Sequence, residues 1–143
     1  MAGLSSWPEG EYRPQRLSRQ GGSAPRIPPF RERTSMIYEL RVYHCVPGRL
    51  PALLKRFETI TLGLWEKHGI RQAGFWTVLI GESNQDLYYL VQWESLAERE
   101  KKWNAFQADP EWHAKRAETE RDGPIVASLS NSFLQPTSFS SVK

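Results

Sequence analysis

Apolar and polar residues change their period several times between Met36 and Leu134, and each change marks an element. Residues 37–44 alternate, with Tyr38, Leu40 and Val42 on one face and Glu39, Arg41 and Tyr43 on the other, which predicts a strand. Pro47-Gly48 ends it. From 50 to 67 the apolar residues Leu50, Leu53, Leu54, Phe57, Ile60 and Leu64 keep helical spacing, with Lys55, Arg56, Glu58, Thr59 and Glu66 toward water. Lys67 and His68 suit the negative end of that helix, and Gly69 stops it. Residues 74–81 and 87–93 are two nearly continuous apolar runs separated by the turn residues 83–86, which predicts a hairpin.

Ser95 three residues before Glu98 is a capping box, and it opens a helix with Leu96, Trp103 and Phe106 inward. Asp109-Pro110-Glu111 restarts a helix as N-cap, first residue and first-turn acid, to end near Asp122-Gly123-Pro124. Residues 125–134 alternate again as a last strand, and 135–143 read as a flexible tail. The order strand, helix, hairpin, helical pair, strand is the split βαβ plan. The expected fold class is α+β: a ferredoxin-like βαββαβ domain over residues 36–134, with its helices on one face of a four-stranded antiparallel sheet. Strands two and three are apolar on both faces, so the face without helices needs cover. A second copy supplies it most simply, as an isologous homodimer whose two sheets approach a barrel.

Composition changes this picture only at the N-terminus. Residues 1–35 hold six Arg and three Glu among many Pro, Gly and Ser, with no apolar period, and read as a disordered extension. The Arg and Ser there also suggest targeting, against which Glu9, Glu11 and Pro28-Pro29 weigh; the alternative is that Met36 is the true start. The net charge of +3 sits wholly in that extension, so the domain itself is neutral and no nucleic-acid partner is expected. With one cysteine, no apolar run long enough for a membrane span and no secretory leader, the expected location is cytoplasmic.

With these elements in place, the motif Tyr-x-Leu-Arg-x-Tyr at 38–43, Pro47-Gly48, the helix end Lys67-His68-Gly69 and Asp109-Pro110-Glu111-Trp112 resemble the NIPSNAP domain. The resemblance spans about residues 36–134. It implies membership of the dimeric α/β-barrel superfamily and a homodimer, and it supplies no catalytic residues.

Candidate chemistry is sparse. His44, His68 and His113 have no chelating spacing, and adjacent His44 and Cys45 point to opposite faces, so no metal and no cofactor are expected. Cys45 reads as a small strand-end hydrophobe, and Trp103, Phe106 and Trp112 as packing anchors. The ligand-cleft candidates are Arg41 and Tyr43 on the open sheet face, with Tyr89 and Trp93 if the register sets them alongside. The register leaves open whether Tyr89 or Tyr88 faces the cleft. Glu39 and Arg41 pairing across the interface, with the aromatics simply packing, is the competing reading. The expected function is binding of a small ligand or protein partner in or near the cleft between sheets. The alternative is a cofactor-independent monooxygenase or isomerase using His44 with Tyr43 or Arg41, against which stands the placement of His44 on the opposite face.

Overall fold

Strand pairing begins at Ile37, where the alternation begins. The computed structural model describes residues 36–143. The expectations for 1–35 (disordered extension, targeting segment, start at Met36) lie outside the described residues. Strand β1 (Ile37–Cys45) lies between β3 (Asp86–Trp93) and β4 (Val126–Leu134), and β2 (Arg71–Thr77) pairs with the far side of β3. Every pairing is antiparallel and the order is β2-β3-β1-β4. Helices α1 (Leu50–Arg56) and α2 (Leu62–Lys67), joined by a π-helical turn over Phe57–Thr61, lead from β1 to β2. Helices α3 (Leu96–Gln107) and α4 (Pro110–Thr119) lead from β3 to β4. This is the expected ferredoxin-like α+β plan. No described helix is long and apolar enough to cross a membrane.

The core forms where the helices meet one sheet face. Leu53, Phe57, Leu64 and Trp65 from the first helical segment and Trp103, Phe106 and Trp112 from the second are buried with Leu87, Tyr89, Val91 and Trp93 of β3. The rings of Phe57, Trp65 and Phe75 stand around Tyr89, with centroids 5.0 to 5.7 Å from it. Such aromatic contacts add to area burial. Antiparallel register sets Glu39 opposite Val91, Arg41 opposite Tyr89 and Tyr43 opposite Leu87, so the charged face of β1 shares this covered side. That reverses the expected assignment. The face left without helices carries Tyr38, Leu40, Val42 and His44 of β1, Tyr88 and Leu90 of β3 and Trp76 of β2. Trp76 is 52% exposed and Tyr88 36%. At one corner of it the Tyr38 hydroxyl donates to the main-chain oxygen of Lys143 at 2.8 Å.

Local departures occur in β2 and in the helices. Strand β2 ends at Thr77, opposite Leu87, and since β3 begins at Asp86 the residues 79–81 have no strand residue to face, so Leu79 and Ile80 stand 95% exposed. In the first helical segment the Leu62 N–H reaches back five residues to the Phe57 carbonyl. Beyond the wider turn Trp65 joins Leu64 on the buried side, whereas Leu54, before it, is exposed. Arg56, expected in water, is buried. Leu96, expected inward, is exposed at the start of α3.

The caps are as the motifs suggest. Ile70 N–H bonds to the Trp65 carbonyl and Gly69 N–H to that of Glu66, a Schellman pair made possible by Gly69 at φ +68. Ser95 Oγ accepts from Glu98 N–H, while the Glu98 carboxylate takes the N–H of Glu94, one residue earlier than a standard capping box. Asp109 accepts from Glu111 N–H and also binds Lys67 Nζ at 2.8 Å and His68 Nε2 at 2.7 Å. Hydrogen bonds from Lys67, His68 and Glu111 hold the Asp109 carboxyl well below the usual carboxylate range. The end of α2 and the start of α4 are thus one polar junction.

Candidate functional site

Glu39 is the centre from which the site is built. Its carboxylate is wholly buried and accepts five hydrogen bonds, from Arg41 Nη1, Trp93 Nε1, Arg99 Nε, Arg99 Nη2 and Asn131 Nδ2, at 2.7 to 3.1 Å. Burial pushes its pKa up, but hydrogen bonds from Arg99, Arg41 and Asn131 outweigh burial, so it is lowered overall and the group stays ionised. A charge-bearing strand face lies under the helices because these donors replace the water it gives up.

Arg41 is fixed at all three of its nitrogens. Nε donates to the Tyr89 hydroxyl at 2.9 Å, Nη1 to Glu39 at 2.7 Å, and Nη2 to the Tyr43 hydroxyl at 3.4 Å. Its guanidinium carbon lies 4.5 Å from the centre of the Trp103 ring. Burial disfavours its charge, yet Tyr89, Tyr43 and Glu39 outweigh that and raise its pKa further. Burial also pushes the Tyr89 hydroxyl well above its ordinary pKa, so Tyr89 is a neutral acceptor toward Arg41.

The four residues singled out from the sequence are therefore brought together, but against the helices and not on the open face. Arg41 and Tyr43 reach a cavity of about 410 Å³ between β1, β4 and the helices. Tyr89 and Trp93 are completely buried behind them and position them. Trp103 and Trp112, read from the sequence only as packing anchors, also wall this cleft, and Arg56, Arg116 and Glu120 line it. Arg56 Nη1 donates to Glu120 Oε1 at 3.2 Å, and its Nε is buried with no acceptor among the described residues. Arg56 sits on the buried side of α1 three residues after Leu53, where a charged side chain reads as solvent-facing, and no spacing marks Arg116 or Glu120 in the sequence.

The remaining candidates stand apart. His44 is on the uncovered face, with Nδ1 2.9 Å from Asp86 Oδ1. Cys45 is buried, and burial followed by the Asp86 charge raises its thiol pKa against an opposing effect of Arg56. It is therefore no ready nucleophile.

A protein-family model described as NIPSNAP matches residues 38–141. A NIPSNAP family protein of unknown function from Agrobacterium tumefaciens is 26% identical with a TM-score of 0.68, over 78% of this chain and 96% of that one. A NIPSNAP-like domain protein from Burkholderia xenovorans is 26% identical with a TM-score of 0.67, over 75% and 90%. A second Burkholderia xenovorans protein, with a NIPSNAP domain, has a TM-score of 0.64 at 24% identity, over 73% and 97%, a likeness of fold. No curated protein matches the chain.

Proposed function

The chain belongs to the NIPSNAP family, and from that premise we propose that it is a homodimeric small-molecule-binding protein without assigned catalysis, its ligand seated in the cleft between sheet and helices. The observation that carries the reading is the cavity of about 410 Å³ walled by Trp103, Trp112 and Tyr43 and floored by the fixed Arg41. That size and that mix of aromatic walls with a few convergent polar groups are those of a ligand site. Among the described residues of the lining the one carboxylate, Glu120, is engaged by Arg56 and Arg116. The carboxylate nearest to Arg41, Glu39, is saturated with donors, and His44 stands on the other face of the sheet.

The dimer part of the proposal is supported by the uncovered face. Tyr88, Leu90, Leu40, Val42 and Trp76 are neighbours in the register across three strands. Covering several hundred Å² of such surface on two copies contributes on the order of 10 kcal/mol before association costs. Native mass spectrometry of untagged protein tests both parts. The expected spectrum shows twice the 16.5 kDa chain and a small-molecule adduct that is lost on denaturation. A chain that stays monomeric at micromolar concentration overturns the dimer. A dimer that neither carries nor takes up any small organic molecule overturns the cleft.

A further inference from the structure

The lining of the cleft is unbalanced in charge. Arg41, Arg56 and Arg116 face it with Glu120 as the one carboxylate of the lining. Glu39, below Arg41, does not correct this, because it is shared with Arg99. Arg56 is the informative member. Its side chain is 5% exposed, its Nη1 is engaged by Glu120 at 3.2 Å, and its Nε–H has no acceptor among the described residues. That Nε is closed off from the cavity itself, so a ligand meets Arg56 through the charge of its guanidinium edge, and a buried charge without full pairing favours an anion beside it. Around it the walls are π faces: the guanidinium carbon of Arg56 lies 5.7 Å from the Trp112 ring centre and that of Arg41 4.5 Å from Trp103.

Resting on the reading of this cleft as a ligand site, we propose that its ligand is a monoanionic organic carboxylate with a flat, unsaturated body. One carboxylate oxygen meets the edge of the Arg56 guanidinium that lines the cavity, Arg116 adds charge at the mouth, and the body lies between Trp103 and Trp112. Carboxylate is favoured over phosphate by what surrounds Arg56. Glu120, already bound to it, caps the C-terminus of α4, so a full and a partial negative charge both oppose a dianion. The helix end next to the seat thus offers carbonyls, not the N–H groups that hold phosphates.

The test uses full-length protein and three probes, benzoate, benzamide and inorganic phosphate, followed by the indole N–H resonances of Trp103 and Trp112. Benzoate is expected to shift both and to bind about tenfold more tightly than its neutral isostere benzamide, the difference between a charge-assisted and a neutral hydrogen bond. Arg116→Gln, a half-exposed position, is expected to weaken benzoate severalfold at an unchanged melting temperature. Glu120→Gln, which releases Arg56 Nη1, is expected to tighten it. Equal binding of benzamide and benzoate overturns the anion while leaving the cleft, and tighter binding of phosphate overturns the carboxylate. Weakening by Glu120→Gln overturns the Arg56 seat. No shift of either indole by any probe overturns the cleft reading itself.

Discussion

At Glu39 a single carboxylate joins β1, β3, β4 and α3, because its donors come from Arg41, Trp93, Asn131 and Arg99. Glu39→Gln offers an amide to five donors and strands two guanidinium groups, so a loss of about 3–5 kcal/mol is expected by urea unfolding. The same group sets an acid limit. Its folded pKa lies below the ordinary 4.5, so its stabilisation is complete above that value and is lost as pH falls through the lower, folded one. Unfolding midpoints compared at about pH 6 and about pH 3 should fall more for the native chain than for Glu39→Gln. Tyr89→Phe removes the acceptor of Arg41 Nε and keeps the ring, and a cost of about 1–3 kcal/mol is expected in the same assay.

At the scale of elements, alternation in β1 assigned each residue correctly to one of two faces but not the direction in which each face points. Tyr38, Leu40 and Val42 look like the inner set, and only the three-dimensional gathering of donors around Glu39 reverses that. The helix over 50–67 was legible from its spacing and its Gly69 stop, whereas the π-turn inside it was not, since one widened turn leaves no periodic trace. Arg56 was hidden for a different reason: it takes a place on the buried side of α1, three residues after Leu53, where a charge reads as facing water. Arg41 and Tyr43 were legible because they alternate with apolar neighbours in a strand. Gly74 in β2 has a structural requirement of its own: at φ +147, an added Cβ would lie 2.5 Å from the Trp76 indole. Gly74→Ala should cost on the order of 1–3 kcal/mol, read as a lower urea midpoint, by strain and displacement of that ring.

For the whole molecule, the order of elements was enough to reach the ferredoxin-like plan, because short connections and one layer of helices leave few alternatives. The partner is a matter of the uncovered face. Trp76→Glu would set a charge into the apolar side of an interface between copies, and desolvating it there costs several kcal/mol. Sedimentation is expected to move from twice the chain mass to once, with far-ultraviolet circular dichroism unchanged. A variant that remains as heavy as the native protein would place the contact elsewhere.

Cys45 gives local opening at the end of β1 a clock. It is the chain's one sulfhydryl, buried at the end of β1 with its ionisation suppressed. Attack by a disulfide reagent must therefore wait for that corner of the core to open. The labelling rate of the unaltered polypeptide reports the frequency of that event, with no engineered probe.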